Sequence, residues 1–224
     1  MIFALPARAV GFTRRLARAD SGLALTEFAL SLPLVLSLGL VGTETAHYVV
    51  THMRVSQIAM QVADNASRVG EQDVLVERRI FEGDINDVFV GADKLGGGLD
   101  ILDHGRIILS SLEQNTDDGQ WIHWQRCKGM KNHASRYGVE GDGETGTSFP
   151  GMGESGKEIT ASSGNAVMFV EVVYDYQAIT PISAMDGQEI SYTAAFNVRD
   201  SRDLTQIWPT AGATASDCDT FSAS

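Results

Sequence analysis

The chain has 224 residues, a formal net charge of -12, 43% hydrophobic residues and 21% charged residues. This negative balance argues against sequence-independent nucleic-acid binding, which needs Lys and Arg to neutralise phosphates, and against a polybasic membrane-surface protein. Five prolines and an aromatic content of 8% argue against wholesale disorder, and two cysteines are too few for a disulfide-dense scaffold. The length fits one ordered domain with an appendage.

Charge and apolarity are segregated at the N-terminus. Residues 1–22 carry four arginines against one aspartate, a net charge of +3, which leaves -15 for the rest of the chain. The next 21 residues, 23–43, contain a single charge, Glu27. As a helix this run spans about 31 Å, the thickness of a bilayer core. The positive-inside rule places residues 1–22 in the cytoplasm and the chain after about residue 44 outside, which predicts a single-pass membrane protein.

A cleaved secretory signal and a plain membrane anchor are two simpler interpretations of this run. A secretory signal usually has an apolar region of about 7 to 15 residues and a small-residue cleavage site. The run here is longer, and the nearest candidate site begins with Glu44, where a small residue is expected. A plain anchor stays open, but it leaves the carboxylate of Glu27 inside an apolar helix unexplained.

The residues around Glu27 form a pattern: Gly22, four residues, the glutamate, and then Phe28. This pattern resembles the processing site of type IV pilins of the tight-adherence (Flp or Tad) class. With Pro33 six residues after the glutamate, the segment is similar in particular to TadE-like minor pseudopilins. The resemblance implies that a prepilin peptidase cuts after Gly22, that the new amine on Leu23 is methylated, and that Glu27 pairs with the amine of a neighbouring subunit.

The chemistry of these residues suits such processing. Gly22 has no side chain, so an extended backbone there can enter a protease cleft at the membrane surface. A cut after it exposes an amine on Leu23, and Glu27 then offers a counter-charge in a low dielectric, either to its own chain or to a neighbour. The alternative interpretation of Glu27 is an interfacial glutamate that reaches to lipid headgroups.

The helical pattern continues without a break signal, which predicts one long helix over residues 23–70 with its membrane span at 23–43. Pro33 is expected to kink this helix. Beyond the span the pattern becomes amphipathic, with an apolar stripe formed by Tyr48, Val55, Ile58, Val62, Ala66 and Val69. His47 and His52 are five residues apart, so we interpret them as a solvated pair rather than as metal ligands.

Residues 71–224 form the predicted head domain. Residues 74–81 are ambiguous between strand and helix, whereas residues 84–95 predict a short helix with Asp84 as its N-cap and a glycine stop at 96–98. Four strands are then expected, at 106–111, 121–127, 166–176 and 189–198, with a hairpin turn at 115–119 joining the first two. The predicted fold class is α+β: a long pilin-like N-terminal helix, followed by a head with an antiparallel sheet of about four strands.

Two segments of the head extend the resemblance to TadE-like proteins. Residues 172–181 (V-V-Y-D-Y-Q-A-I-T-P) are similar to a V-x-Y-x-Y-x-x-L-T-P segment near the end of these proteins. Residues 124–127 (W-Q-R-C) resemble a run in longer members. The D-x-S-x-S metal motif of the von Willebrand-like domain in TadG-type relatives is missing from the sequence.

Both cysteines, Cys127 and Cys218, fall outside the membrane in this topology, in an oxidising periplasm. A disulfide is therefore the favoured interpretation, and it would tie the C-terminal tail to the second strand across a separation of 91 residues. Two unpaired buried thiols are the alternative.

Residues 129–164 contain nine glycines and predict a long flexible surface loop. Residues 141–146 match G-x-G-x-x-G, but this run carries two acids and does not follow a strand. Residues 151–158 resemble a P-loop, but Glu158 replaces the Ser or Thr needed for Mg²⁺. The turn at Asp117 and Asp118 offers hard oxygen ligands for calcium but lacks the alternating acids of an EF-hand. The sequence therefore predicts no metal site and no cofactor.

Enzymatic activity is not expected, because the sequence lacks G-x-S-x-G, H-E-x-x-H and C-x-x-C. The resemblance implies a minor pilin in the bacterial inner membrane, with a periplasmic head, that initiates, primes or caps a Tad-type pilus used for surface adherence. Its implied partners are a prepilin peptidase, a sister minor pilin, the major pilin and the inner-membrane assembly platform, with no nucleic acid. The alternative, from a different class, is an uncleaved membrane-anchored periplasmic enzyme or sensor.

Overall fold

A computed structural model describes residues 20–70, 77–180, 183–199 and 201–223 of the chain. Its helices are α1 (Asp20–Ala66), α2 (Glu82–Gly96) and the short α3 (Ile101–His104), with a 3-10 turn at Gly97–Leu99. Its strands are β1 (Gly105–Gln114), β2 (Gln120–Lys128), β3 (Val167–Asp175) and β4 (Glu189–Asn197). The chain divides after Ala46 into two units. The first is helical, and the second, His47–Ser224, is called the head from here on because it contains the predicted head domain together with the second part of α1.

The four strands of the head form one antiparallel sheet in the order β2-β1-β3-β4. The predicted α+β class and antiparallel sheet are therefore confirmed, and each strand lies within a few residues of its expected bounds. Pairing of β3 with β4 runs without a register shift from Val167 opposite Asn197 to Asp175 opposite Glu189. Pairing of β1 with β2 has one irregularity, between Ser111 and Leu112 of β1.

The predicted hairpin turn between β1 and β2 is built around the amide of Asn115. Its Oδ1 accepts the backbone N–H groups of Asp117 and Gly119 at 2.9 and 2.8 Å, as expected for an Asx turn. Its Nδ2 donates to the carbonyls of Gly143 and Gly146, both at 2.7 Å. The carboxylate of Asp117 accepts the backbone N–H of Gly146 at 2.8 Å. These polar groups therefore join the turn to the glycine-rich segment.

The head part of α1 packs on one face of the sheet, through the apolar stripe that the sequence predicts. Buried stripe residues are Val55, Ile58, Val62 and Ala66, and Ala59 and Ala63 widen the stripe. On the sheet side, alternate residues of the two central strands face them: Ile107, Leu109, Met168, Val170 and Val172. Every second side chain of a strand lies on the same face of the sheet, so the listed residues of both strands face α1. Together with the stripe of α1 they form the main core.

α2 begins at Glu82, two residues before the predicted start, and its N-cap is Phe81 rather than Asp84. Asp84 instead stands at the third helical position, where its carboxylate accepts the backbone N–H of Phe81 at 3.0 Å. This bond satisfies a backbone donor that the helix start leaves free, which is the physical reason for the acid at this position. The helix ends at Gly96, inside the predicted glycine stop.

The predicted surface loop 129–164 is mostly exposed, and a few of its side chains cover the opposite face of the sheet. Its side chains Tyr137, Phe149, Met152, Ile159 and Ala161 pack with Leu112, Ile122, Val167 and Phe169 in a second apolar cluster. The segment has no regular helix or strand, so its apolar residues follow no fixed spacing. Neither of the two periodicities used to recognise buried elements detects such a cover.

Candidate functional site

The N-terminal unit exposes an apolar surface. Over residues Gly22–Ala66, α1 is the one helix in the described chain that is long and apolar enough to cross a membrane. The most apolar 18-residue stretch of this helix is 0% buried. Eight leucines of this unit are exposed: Leu23, Leu25, Leu30, Leu32, Leu34, Leu36, Leu38 and Leu40. Because soluble proteins rarely expose a contiguous apolar surface of this size, a bilayer or other apolar helices are its expected surroundings. The chain is compatible with single-pass membrane anchoring.

Gly22 and Leu23, the predicted processing site, lie within α1, close to the first described residue. The helix is present from the first described residue, Asp20, includes Pro33, and ends at Ala66, four residues before the predicted Gly70. A Cβ on Gly22 would meet no atom of the described chain within 4 Å. Packing within the described chain therefore does not explain why a glycine stands at this position.

Glu27 and Phe28, the predicted assembly residues, lie on the exposed surface of α1, where Phe28 is 59% exposed. Glu27 is four residues from Leu23, and residues with this separation are neighbours on a helix. Nearby hydroxyl groups are bonded within the helix: Thr26 donates to the carbonyl of Leu23 at 2.8 Å, and Ser31 donates to that of Phe28 at 3.2 Å. Between residues 23 and 43, Glu27 is the single charged residue, and its neighbours are apolar or hydrogen-bonded within the helix.

The tyrosines of segment 172–181 are structural contacts of the head. Tyr174 is buried and donates to a backbone carbonyl of the 3-10 turn at 3.0 Å, and burial raises its pKa to about 12. The hydroxyl of Tyr176 lies 2.8 Å from Nδ1 of His47, and the hydroxyl of Tyr192 lies 3.1 Å from Nδ1 of His52. The two histidines are thus not a solvated pair, as the sequence suggested, but connect α1 to the sheet through tyrosine hydroxyls.

The W-Q-R-C run joins β2 to several parts of the head. Trp124 is buried in the main core, and the amide of Gln125 donates to the hydroxyl of Ser110 on β1 at 2.9 Å. Arg126 bonds both carboxylate oxygens of Glu82 on α2, at 2.7 to 3.2 Å. Burial alone would lower the pKa of Arg126, but the hydrogen bonds and charge of Glu82 outweigh it and raise that pKa. This run therefore positions α2 against the sheet.

The last residue of the run, Cys127, is bonded to Cys218 in the C-terminal tail. A second group holds the same tail: the guanidinium of Arg106, which is fully buried, donates to the carbonyls of Cys218 at 2.7 Å and of Thr220 and Gly129 at 2.9 Å. Burial lowers the pKa of Arg106. Arg106 is not among the residues predicted from the sequence, although an arginine at the start of a buried strand indicates a buried charge that needs hydrogen-bond acceptors.

The glycine motifs of segment 129–164 bond to the protein itself. The run 141–146 contributes two carbonyls to Asn115, and the next regular element along the chain is β3 rather than a helix. Lys157, at the P-loop lysine position, is 79% exposed and pairs with Glu154 at 3.3 Å. A phosphate cradle needs a helix N-terminus directly after the glycines, and neither run has one.

A buried carboxylate, Glu171 on β3, lies under the glycine-rich segment. It is 1% exposed and accepts the hydroxyl of Ser135 and, at 3.1 Å, the backbone N–H of Arg136. Burial raises the pKa of Glu171, and this effect exceeds the opposing effect of the two hydrogen bonds. Glu171 thus anchors the segment, but ionisation of its buried carboxyl group lowers the stability of the folded protein as pH rises.

Replacing this residue, Glu171→Gln, is expected to stabilise the head increasingly as pH rises. The folded protein keeps the Glu171 proton to a higher pH than the unfolded chain, so wild-type stability falls as pH rises from the ordinary glutamate pKa through the raised value. The amide cannot ionise and avoids this loss. Urea unfolding of the full chain in detergent at about pH 4 and about pH 8 checks it. The exposed control Glu154→Gln should show no such trend, and an equal trend in both variants would contradict the prediction.

No family model, curated protein or solved structure matches this chain. The class that the structure defines is an α+β protein with a long apolar N-terminal helix and a four-stranded antiparallel sheet. Its function is therefore inferred from the residues and contacts described above.

Proposed function

We propose that this chain is a minor pilin-like subunit of a Tad-type pilus, cut after Gly22 by a prepilin peptidase. The observation that carries the proposal is the exposed apolar surface of α1, with Gly22 and Glu27 close together in the sequence just before it. In this proposal Leu23 becomes the first residue. Its amine enters a low-dielectric assembly of helices, where Glu27 neutralises it or the amine of a neighbouring subunit.

The proposed location is the bacterial inner membrane, with the N-terminus in the cytoplasm and the head in the periplasm. Four arginines precede the apolar helix, which favours this orientation, and a disulfide in the head suits an oxidising compartment. The size of the head favours a part in initiation, priming or the tip over that of the major subunit. The proposed partners are the peptidase, a sister minor pilin, the major pilin and the assembly platform.

Mass spectrometry of protein purified from membranes is expected to find Leu23, methylated on its amine, as the first residue. The same measurement on cells that lack the prepilin peptidase is the control, in which the chain should begin at Met1. A wild-type chain that keeps Met1 in peptidase-containing cells would overturn the proposal and favour the uncleaved anchor of an enzyme or sensor.

A further inference from the structure

The two edges of the sheet differ in how their backbone groups are bonded. On the outer edge of β2, the N–H of Ile122 donates to a carbonyl of the glycine-rich segment at 2.9 Å, and the N–H of Cys127 donates to a carbonyl of the C-terminal tail at 2.7 Å. Between them, the N–H of Gln125 donates to the carboxylate of Glu140 at 2.8 Å. This edge is therefore covered by the chain itself.

β4 forms the opposite edge, and two bonds determine which of its residues face β3. The N–H of Val198 donates to the carbonyl of Ala166 at 2.9 Å, and the carbonyl of Gln188 accepts the N–H of Tyr176 at 2.9 Å. Hydrogen-bonded pairs alternate along an antiparallel ladder, so even-numbered residues bond to β3 and odd-numbered residues direct their N–H and C=O groups outward. The central outward residues are Ser191, Thr193 and Ala195. Within the described part of the chain, no backbone hydrogen bond reaches them.

β4 also lacks the features that usually protect an edge strand. It contains no proline and no lysine, and its pairing with β3 is continuous without a bulge. Its single charge, Glu189, lies at one end and pairs with Lys131 at 3.1 Å and with Arg136. The central part of the edge is thus uncharged, regular and lined by small side chains, which is a template for another strand.

An apolar groove of about 460 Å³ lies beside this edge, between α1 and β4. Met53, Met60 and Val49 of α1 line it together with Tyr192 of β4. The two methionines are 57% and 48% exposed, although both belong to the head. Side chains alternate between the faces of a sheet, so a strand added to β4 would place every second side chain on the Tyr192 side, over this groove. Flexible methionines suit such a surface because they adapt to different side chains.

Charge at the end of the edge favours one orientation of an added strand. Beyond Asn197, Arg199 pairs with Asp64 at 2.9 Å, and Arg68 pairs with the same carboxylate at 2.8 Å. Among the described residues, two guanidinium groups around one carboxylate leave one positive charge at this end, which favours a further acidic group nearby. In antiparallel addition, this position lies next to the N-terminal end of the incoming strand.

We infer that the outer edge of β4 binds an extended segment of another polypeptide, which adds to the sheet as a fifth, antiparallel strand. Backbone hydrogen bonds to the outward groups of Ser191, Thr193 and Ala195 provide affinity, as in other complexes formed by strand addition. Alternate apolar residues of the segment occupy the groove of Met53 and Met60, and an acidic residue stands near its N-terminal end. This docking surface does not depend on processing at Gly22.

A fluorescent peptide of about nine residues tests the inference, with valine alternating with threonine and aspartate at its N-terminal end. Anisotropy with the full chain in detergent is expected to show saturable binding, and residue-resolved hydrogen exchange should show new protection at Ser191, Thr193 and Ala195. A peptide with proline at every second position should not bind, since it lacks the required N–H groups. Absence of saturable binding, or binding without this alternating protection, would overturn the inference.

Two variants distinguish peptide binding at the β4 edge from non-specific peptide binding. Thr193→Pro removes one outward N–H without removing a bond to β3, and Met53→Glu places a charge in the groove without changing the backbone. Each is expected to weaken peptide binding at least about tenfold. Gln61→Glu, on an exposed part of the same helix, is the matched control and should bind like the wild type. Equal peptide affinity in all variants would overturn the inference. The inference would also be overturned if the wild-type protein were a dimer and Thr193→Pro made it a monomer, because the edge would then bind a second copy of this chain.

Discussion

Loss of the Cys127–Cys218 disulfide is expected to lower the free energy of unfolding by about 4 to 5 kcal/mol. The bond joins residues 91 positions apart, so the loop that it closes contains the glycine-rich segment, β3 and β4. Removing the crosslink gives the unfolded chain many more conformations and therefore favours unfolding. Since a domain is typically stable by about 5 to 15 kcal/mol, this loss would leave the head marginal.

Urea unfolding of the full chain in detergent measures this effect for the oxidised wild type, the reduced wild type and the double variant Cys127→Ser/Cys218→Ser. The last two samples should agree, which distinguishes loss of the crosslink from an effect of the serines. Thiol titration of denatured, unreduced protein should find no free thiol. Two free thiols in that sample would exclude the bond, and equal stability of all three samples would contradict the predicted effect.

The reduced head is nevertheless expected to keep its tail in place. Arg106 donates to three carbonyls, two of which belong to the tail, and the N–H of Gly129 donates to the carbonyl of Ser222 at 2.9 Å. The bonds from Arg106 are charge-assisted and are therefore stronger than neutral hydrogen bonds. The disulfide therefore acts mainly on the unfolded chain, whereas Arg106 stabilises the folded tail.

The elements of this fold could be predicted wherever their burial is periodic. The helical spacing of Val55, Ile58 and Val62 identifies the face of α1 that packs on the sheet, because one side of the helix meets one apolar surface. Two of the strands were recognisable for another reason: β1 and β3 are buried on both faces, and each contains a short apolar run, at residues 107–109 and 167–170. The turn at Asn115 needed only local chemistry, since its side chain bonds to residues two and four positions away.

Contacts between distant segments were not predictable in this way. Phe149 and Met152 cover the sheet from a coil, and their burial depends on where β1 and β3 lie rather than on local spacing. His47 and His52 look solvated on a helix because their tyrosine partners are more than 100 residues away in sequence. Within the described residues, β4 is the edge whose outward backbone groups have no partner, because the C-terminal tail bonds to β2 at the opposite edge. In each case the prediction would have required the tertiary structure, that is, which distant segments lie next to each other.

Replacing Gly22 with alanine is expected to leave the precursor uncut, if the proposed processing is correct. Two physical effects contribute, because Gly22 lies within α1 and an extended backbone is needed in a protease cleft. Alanine stabilises a helix over glycine by about 1 kcal/mol, which makes unwinding about fivefold rarer. The added Cβ also obstructs the close approach of a cleft to the backbone, and this effect would abolish cleavage. The Cβ meets nothing within 4 Å in the described chain, so the fold should be unaffected.

The matched control is Gly39→Ala in the same helix, where a Cβ also meets nothing within 4 Å. It adds the same methyl group to the apolar span but lies 17 residues beyond Gly22, and should be processed like the wild type. Immunoblotting of precursor and mature forms over time measures both variants. Processing of Gly22→Ala that is only about fivefold slower would mean that helix unwinding, and not the cleft, imposes the need for glycine. Processing at the wild-type rate would contradict the cleavage site itself, because neither effect of the methyl group would then be felt.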